Sequence, residues 1–482
     1  MISGPSMGTL FTAAFALFGW GAGVRPISDN SFLLHLKTGH WILQHGIPRS
    51  DVFSATAHGT PWVAQSWLAE ILYAGLDVAV GPHGVQLLDG TVGAVIAAAT
   101  FRLACVRTGD TVRAAAVTAP VVLASGLLWS PRPLLLGLLM TSILIWTIEV
   151  PDSLPGRRPL LTAPVLMWCW VNVHGSFVLG FAYLGLHLAG RWLDGHRPWA
   201  DREGRLLGAA GLSLVACLAN PYGLGLLLFP LHLVQRGEIL QMVDEWQSPD
   251  ARSAEGAAFI VVLAIVVAVF ALARRRPSYR DVVVVLPFLA SGLWAERNIA
   301  IAPLVAAPVL AFLVARPEPR PDDRERFHFA VLSLLVLGGV LWSLPVLNRP
   351  ALQLDGVYPI KAMQAVERDG LLGRRLLTTD EWGAYVVHAY WPRQKVFVDD
   401  RYDMYPVPLL KDYLKVMNGA PGWQQILDRY GVDVAMVEHE APLSSLLASD
   451  AGWRREYADD MSVVYVRRQI LAHGRSPGGT GP

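Results

Sequence analysis

The stretch Ser28–Glu70, SDNSFLLHLKTGHWILQHGIPRSDVFSATAHGTPWVAQSWLAE, decides how the rest of the chain is interpreted. It follows the first hydrophobic segment and precedes a long series of others. A loop of roughly 40 residues between hydrophobic segments is usually either functional or disordered. This loop is rich in Trp, Phe, Leu and Ile, a composition that does not suit disorder. It is therefore predicted to form a folded cap on a membrane surface.

The overall composition is that of an integral membrane protein. Of the 482 residues, 53% are hydrophobic and only 16% are charged, whereas globular domains have about 25% charged residues. The formal net charge is +1, so nothing indicates a nucleic acid or another polyanion as partner. The three cysteines, Cys105, Cys169 and Cys217, lie in apolar segments and are interpreted as small packing residues.

Hydrophobic segments of the length that crosses a bilayer, about 20 residues, recur over the first three quarters of the chain. The predicted membrane helices are 8–24, 85–101, 112–129, 133–149, 160–173, 176–192, 206–219, 257–273, 280–295, 298–315 and 327–346. Two further apolar stretches, 66–82 and 223–236, are ambiguous, because each can either cross the bilayer or lie on its surface.

The distribution of arginine predicts the topology. Arginine-rich loops alternate with loops that have few basic residues, and short cytoplasmic loops collect Lys and Arg. The alternation is regular only if 66–82 and 223–236 lie on the outer surface. The sequence then predicts 11 crossings, with a cytoplasmic N-terminus and an extracytoplasmic C-terminus. A 13-helix arrangement keeps the same ends but places arginine-rich loops outside, so it ranks second.

The composition changes after residue 346. Residues 351–470 contain no spanning segment and alternate helix-like and strand-like runs, with buried strands predicted at 395–399 and 432–439. The expected fold class is a polytopic α-helical membrane protein with a small C-terminal extracytoplasmic α/β domain. Its expected organisation is a membrane domain at 1–346 with a first outer loop at 25–84, an α/β domain at 351–470, and a disordered tail at 471–482.

Polar side chains recur at the predicted outer ends of the membrane helices. Such groups are costly near a bilayer and commonly serve a site. The residues concerned are Asp29, Arg132, His174, Asn220, Glu245 and Arg297. A carboxylate among arginines and a histidine suits group transfer from a lipid-linked phosphate. The phosphate needs cationic partners, and an acceptor hydroxyl needs a base.

Several motifs resemble the GT-C class of bacterial glycosyltransferases, especially the RgtA/B/C/D-like group and its relatives. They are DNSFLLHLKTGHWILQHGIPRSDVFS, PWVAQSWLAE, SPRPLLLGLL, WVNVHGSFVLG, NPYG, ERNIAIAPL and WGAYVVHAYWPRQKVFVDDRYDMYP. The resemblance covers almost the whole chain and implies a GT-C-like membrane fold. It also implies sugar transfer from a polyprenyl-phosphate-linked donor to a glycan, lipid or protein acceptor, at the outer face of the bacterial plasma membrane.

The resemblance assigns a role to Asp29. In the GT-C class an acidic residue early in the first outer loop acts as base or orients the acceptor, and Asp29 matches its position. The class often has a second acid in the next outer loop, where this chain has Arg132. A divalent metal as cofactor is therefore not supported, because the chain lacks the second acidic motif. Two alternatives stay open. One is a metal-free reaction, in which Arg132 and Arg297 neutralise the leaving phosphate and His174 lines the cavity. The other is a loss of activity.

The candidate residues also have structural interpretations. Asp29 suits the N-cap of a loop helix, and one residue can both cap and catalyse. His35 suits packing against a neighbouring helix as well as facing the cavity. Arg132 suits a snorkelling residue at a helix end, and His174 suits a structural hydrogen bond at the Gly break between two apolar helices.

Three further positions have two interpretations each. Arg297 suits either a lipid-phosphate contact or a local ion pair with Glu296. Glu245 and Trp246 suit a loop over the cavity or, preferably, the anchor of an interfacial helix. The run 399–401, Asp-Asp-Arg, follows a predicted strand, so it suits a ligand crevice or, preferably, a buried salt bridge.

Other classes of function are less well supported. The chain has no Walker loop, dinucleotide fingerprint, zinc spacing or nucleophile elbow, which argues against ATP-driven transport and redox chemistry. The alternative to a glycosyltransferase is a non-catalytic protein that binds or transports a polyprenyl lipid. An envelope scaffold is a third hypothesis. A transporter is expected to show an internal repeat of helices, and none is evident.

Overall fold

The computed structural model describes residues 4–150, 159–240, 243–318 and 323–469, so the predicted disordered tail at 471–482 lies outside the described residues. Helices dominate the first 350 residues. In chain order they are α1 (Met7–Gly23), α2 (Asn30–His45), α3 (Trp67–Val80), α4 (His83–Thr108), α5 (Thr111–Gly126), α6 (Pro133–Glu149), α7 (Pro159–Val173), α8 (Phe177–Leu193), α9 (Asp201–Ala216), α10 (Leu224–Val234), α11 (Gly237–Leu240), α12 (Ala254–Leu272), α13 (Tyr279–Trp294), α14 (Ala302–Leu313) and α15 (Phe327–Leu347).

The remaining described residues combine short helices with a small sheet. The elements are α16 (Ile360–Arg368), β1 (Leu376–Leu377), α17 (Asp380–Tyr390), α18 (Val407–Met417), α19 (Trp423–Arg429), β2 (Val434–Glu438), α20 (Pro442–Ser449), β3 (Trp453–Ala458) and β4 (Ser462–Arg467). The strand order is β1-β2-β4-β3. β1 is parallel to β2, while β4 is antiparallel to both of its neighbours.

The chain forms two compact units, and each is described by itself. The membrane unit comprises the residues up to Ile27 together with Gln65–Ala351. The mixed unit combines Ser28–Ala64 with the residues from Leu352 onwards. The predicted first outer loop, 25–84, therefore contributes residues to both units.

The apolar helices of the membrane unit support a membrane protein. Four described helical segments are long and apolar enough to cross a bilayer: α4, α12, α15 and the segment Glu296–Leu313. Shorter apolar helices are α1, α5, α6, α8, α10 and the part of α7 from Leu160. Every predicted segment overlaps a helix, including α3 at 66–82 and α10 at 223–236. The number of crossings, 11 or 13, stays a prediction.

Large apolar side chains cover the outside of this unit. Leu334 on α15 is 67% exposed, and Leu272 on α12 is 82% exposed. Water-soluble proteins seldom leave such extended apolar surfaces uncovered. Lipid is therefore the expected neighbour of these helix faces.

Glycines allow α1 and α4 to approach closely. A Cβ atom added to Gly19 would lie 2.1 Å from the backbone oxygen of Gly93, and one added to Gly23 would lie 2.4 Å from that of Asp89. Small residues four apart on one helix face are typical of membrane helix packing, because they bring backbones together. This contact fixes the end of α1 and the position of Arg25, which follows it.

The mixed unit has an aromatic and aliphatic core. Ring contacts join Trp41 on α2 to Trp391, at 5.2 Å between centroids, and Trp391 to Phe53, at 5.7 Å. The first four residues of β2 are buried, and so are the first five of β4. The predicted strand at 432–439 is confirmed as β2.

The other predicted strand, at 395–399, is wrong. Of this run only Val396 forms bridges, one with Ser54 and one with Leu376. Its backbone oxygen accepts a hydrogen bond from Ala55 N at 2.8 Å. The Val-rich pattern correctly indicated burial, but a buried segment need not form the regular hydrogen bonds of a strand.

Candidate functional site

Arg132 stands at the start of α6 in the membrane unit. Its backbone is extended, and Pro133 occupies the first helical position, where a missing N–H leaves no donor unsatisfied. The Arg132 side chain makes no capping hydrogen bond with the helix. Its guanidinium instead forms an ion pair with Glu245, and the two side chains are 25% and 40% exposed. The pair joins the start of α6 to the segment that precedes α12.

Arg297 lies in the 3₁₀ turn Glu296–Ala300, between α13 and α14. Its guanidinium carbon is 4.7 Å from the centroid of the Trp246 ring. This ring contact is compatible with both interpretations of Arg297, the lipid-phosphate contact and the local ion pair with Glu296, which stay predictions. The backbone N–H of Glu296 donates to Gln247 O at 2.9 Å, which holds the turns bearing Arg297 and Trp246 together.

Arg132, Glu245, Trp246 and Arg297 together are called the cationic cluster below. Within it the Arg132 guanidinium pairs with the Glu245 carboxylate, while the Arg297 guanidinium lies over the Trp246 ring. The two guanidinium groups are close enough to repel each other electrostatically. Two neighbouring cations at the ends of apolar helices attract an anion such as a phosphate group.

His174 lies in the turn between α7 and α8. Its Nδ1 accepts a hydrogen bond from the backbone N–H of Ser176 at 3.1 Å, which confirms the structural interpretation. A Cβ atom added to Gly137 on α6 would lie 3.8 Å from the same Nδ1 and 2.5 Å from Ser176 Oγ. The turn therefore packs against α6 one helical turn beyond Arg132. A role in lining a cavity stays a prediction.

Asp29 and His35 belong to the mixed unit. Asp29 is the N-cap of α2, and its Oδ1 accepts the backbone N–H of Phe32 at 3.0 Å. The capping interpretation is thus confirmed, while the catalytic one stays a prediction. His35 is half-buried on α2. The six candidate residues are divided accordingly: Arg132, His174, Glu245 and Arg297 lie in the membrane unit, and the other two in the mixed unit.

A buried ion network lies in the mixed unit. Arg401 Nη2 is 2.6 Å from both Asp51 Oδ1 and Asp399 Oδ2, and both carboxylates are fully buried. The guanidinium also lies 4.4 Å from the centroid of the Trp62 ring. Burial opposes the charge, but Asp399 and Asp51 hold the pKa of Arg401 well above its ordinary value. The preferred interpretation of 399–401, a buried salt bridge, is confirmed; its partner Asp51 was not predicted.

A second polar group in this unit surrounds the start of α17. The Tyr413 hydroxyl donates to Asp380 Oδ1 at 3.0 Å and accepts from Asp380 N at 2.9 Å. Burial raises the pKa of the Asp380 carboxyl, although the hydrogen bond from Tyr413 opposes the rise. Asp400 accepts hydrogen bonds from Asn30 and Ser31, the two residues that follow Asp29. No local sequence pattern indicates these contacts.

Metal ligands do not cluster in the described part of the chain, where no group of three or more His, Cys, Asp or Glu side chains is suitably placed to hold an ion. The charged groups that stand out are instead the two guanidinium groups of the cationic cluster and the buried carboxylates of the mixed unit.

Comparison with known proteins supports the fold only. No family model matches the chain, and no curated protein matches its sequence. Among solved structures, it is similar to the archaeal oligosaccharyltransferase AglB from Archaeoglobus fulgidus, which was solved with an inhibitory peptide and a dolichol-phosphate. The TM-score is 0.54 at 9% identity, over 95% of this chain and 74% of that one. The chain therefore shares the fold of that oligosaccharyltransferase structure.

Proposed function

We propose that the protein is a membrane glycosyltransferase. It moves a sugar from a polyprenyl-phosphate-linked donor to an envelope acceptor at the outer face of the bacterial plasma membrane. The observation that carries the proposal is the presence of two neighbouring guanidinium groups, Arg132 and Arg297, in the cationic cluster at the ends of apolar helices. The shared fold with AglB, whose structure contains a dolichol-phosphate, adds support.

The reaction proposed is a displacement at the anomeric carbon of the donor sugar. The acceptor hydroxyl forms the new C–O bond while the bond from the sugar to the lipid phosphate breaks. Asp29 takes the hydroxyl proton, and the electron pair leaves with the phosphate. Arg132 and Arg297 stabilise that charge, because fixed cations in a water-poor site are most effective where charge develops.

The remaining candidates have supporting roles in this proposal. Glu245 orients Arg132 through their ion pair, and Trp246 holds the Arg297 guanidinium by a cation–π contact. His174 lines the cavity beside α6, and His35 contacts the acceptor. In this proposal the membrane unit crosses the bilayer 11 times, and the C-terminal residues lie outside the cell.

The test is mass spectrometry of envelope glycans and lipid-linked sugars in a deletion strain. The strain is complemented with the native gene or with Asp29→Asn, because Asn retains the N-cap of α2 but cannot accept the proton. We expect a missing sugar and an accumulated lipid-linked donor, restored by the native gene only. Full restoration by Asp29→Asn would show that Asp29 is not the base.

A non-catalytic lipid-binding protein is the second candidate, and one observation favours it. Asp29 already has a structural role as N-cap, so its carboxylate needs no catalytic explanation. This alternative predicts that the deletion strain has normal glycan composition while the purified protein still binds a polyprenyl phosphate. The glycan profile therefore separates the two candidates.

A further inference from the structure

Two arginine-rich loops lie together at one end of the membrane unit. The first joins α8 to α9, and the second joins α12 to α13. The carboxylate of Asp194 in the first loop accepts the backbone N–H groups of Tyr279 at 2.9 Å and of Arg280 at 3.1 Å. A Cβ atom added to Gly190 on α8 would lie 2.4 Å from the Cα atom of Arg280. The two loops therefore form one continuous surface.

The charge on this surface is mostly positive. Residues 191–203 and 274–281 contain seven arginines and four carboxylates. Three of these carboxylates already accept hydrogen bonds within the protein, namely Asp194, Glu203 and Asp281. The fourth, Asp201, is exposed. A net positive surface of this kind attracts anions.

Three arginines of the surface have no acidic partner. Arg197, Arg274 and Arg276 are exposed, and within the described part of the chain none of them forms an ion pair. A guanidinium has five N–H donors, and its hydrogen bonds to a phosphate are charge-assisted. These three side chains are therefore available to an external phosphate group.

Exposed aromatic side chains lie on the same two loops. Trp192 is 61% exposed, Trp199 is 73% exposed, and Tyr279 is 65% exposed. Trp and Tyr are enriched at the level of the lipid headgroups, because their rings have an apolar body and a polar edge. Trp199 follows Arg197 by two residues, and Tyr279 follows Arg276 by three. The surface thus offers both rings and guanidinium groups to a headgroup layer.

The position of the surface relative to the bilayer follows from the proposed topology. Because both loops lie at one end of the unit, the chain between them crosses the bilayer an even number of times. In the arrangement with 11 crossings these are α9 and α12, which places the surface at the cytoplasmic leaflet. Anionic lipids give that leaflet a negative surface potential, which attracts arginines beside membrane helices.

We propose that this surface is a binding site for the headgroups of anionic phospholipids. It is called the basic platform below and consists of Trp192, Arg197, Trp199, Arg274, Arg276 and Tyr279. The unpaired arginines favour an anionic lipid over a zwitterionic one, and the exposed rings favour a lipid layer over an acidic protein. The leaflet rests on the proposed topology, whereas the binding itself does not depend on sugar transfer.

The test is native mass spectrometry of the full chain, delipidated in detergent and titrated with dioleoyl phosphatidylglycerol or dioleoyl phosphatidylcholine. We expect the Kd for phosphatidylglycerol to be lower about tenfold or more, because only this lipid has a net negative headgroup. Arg276→Gln should weaken phosphatidylglycerol binding about fivefold, the usual contribution of one arginine at an anionic surface. Binding of phosphatidylcholine should change little.

A matched control lies at the opposite end of the same helix. Arg252 precedes α12 and is exposed, as Arg276 is beyond its other end. Arg252→Gln should bind phosphatidylglycerol like the native chain. The double variant Arg197→Gln/Arg276→Gln should weaken binding about 25-fold if the two contributions are independent. All these arginines are exposed, so the thermal unfolding midpoint should stay unchanged.

The aromatic side chains are tested separately. Trp199→Ala should weaken binding of both lipids by the same factor, because an indole ring does not distinguish the two headgroup charges. A loss confined to phosphatidylglycerol would contradict the role assigned to the ring.

Three outcomes would overturn the proposal. The first is equal affinity of the native chain for the two lipids, which would favour an acidic protein segment as the occupant. The second is an equal loss in Arg252→Gln and Arg276→Gln, which would show a diffuse charge effect. The third is displacement of phosphatidylglycerol by millimolar ammonium phosphate, which would show a site for a soluble anion. A normal glycan profile in the deletion strain would refute the transferase and leave the lipid site intact.

Discussion

Arginine occupies opposite electrostatic settings in the two units. In the mixed unit, Arg401 is enclosed by two buried carboxylates, Asp51 and Asp399, and stacks on Trp62. In the membrane unit, the cationic cluster contains two guanidinium groups and one carboxylate, which pairs with Arg132, while Arg297 stacks on Trp246. Aromatic contact is common to both settings, so it does not separate them. The balance of charge does.

The difference shows what to look for in a cation that binds a ligand. A buried arginine whose charge is fully matched inside the protein stabilises the fold, because removing it leaves unpaired carboxylates. An arginine in surplus is available to an external anion. Substitutions of arginine in the two units should therefore have different effects on stability and on activity.

The largest effect is expected for Arg401→Met. The change leaves Asp51 and Asp399 buried without a partner, which typically costs about 3–5 kcal/mol. The loss is measured by thermal unfolding of the full chain, with proteolytic cleavage of the residues after Leu352 as the readout. The control is Arg393→Gln, whose pair with Glu367 is 57% and 42% exposed and is worth about 1 kcal/mol or less. Equal losses in the two variants would contradict the assigned structural role.

Arg132→Gln and Arg297→Gln should separate transfer from stability. Each is expected to lower sugar transfer about 10²–10³-fold, the typical cost of removing one group that stabilises transition-state charge. The loss of unfolding free energy should be about 2 kcal/mol or less, since a cation–π contact is worth about 0.5–1 kcal/mol at an exposed site and about 2 kcal/mol when desolvated. Rate measurements on protein with unchanged thermal stability test this. A fall in the unfolding midpoint as large as that of Arg401→Met would contradict the proposed difference between the two units.

The Asp29 variants separate the cap from the base in the same way. Asp29→Ala should lower the free energy of unfolding by about 1 kcal/mol, because the N–H of Phe32 loses its acceptor. Asp29→Asn should change it by only a few tenths of a kcal/mol, since Asn caps about as well as Asp. Both should abolish transfer. Chemical denaturation of the two variants beside the native chain measures the difference.

The smallest effects concern two carboxyl groups of the mixed unit with opposite pKa shifts. Burial raises the pKa of Asp380 in the folded state. Its stabilising contribution is therefore present below the unfolded pKa and lost as pH rises through the folded one. Asp380→Asn should raise the unfolding midpoint by about 2–4 °C or less at pH 7, and by less at pH 4.

Asp459 is the matched carboxyl group, because its pKa is shifted in the opposite direction. Burial opposes its ionisation, but hydrogen bonds from Ser462 N, Met461 N and Tyr457 lower the pKa of its carboxyl. Its contribution is present above the unfolded pKa and lost as pH falls through the folded one. Asp459→Asn should therefore lower the midpoint at pH 7 more than at pH 4. Identical pH profiles for the two variants would contradict the assignment.

Sequence predicted the helices well, because long apolar runs determine them locally. It also selected Arg132, Glu245 and Arg297, since loops at helix ends are visible in the hydropathy pattern. The contact of Arg401 with Asp51 was missed because the two residues are 350 positions apart.

The mixed unit is assembled from two pieces of chain that are separated by roughly 290 residues. During synthesis its first piece, with the buried Phe32 and Leu33 of α2, emerges long before its partner. At about 5–20 residues per second, this piece waits for tens of seconds without the surface that covers it. The apolar face of α2 therefore stays uncovered until the residues from Leu352 onwards have been made. The last-made residues thus determine when the first piece can complete its fold.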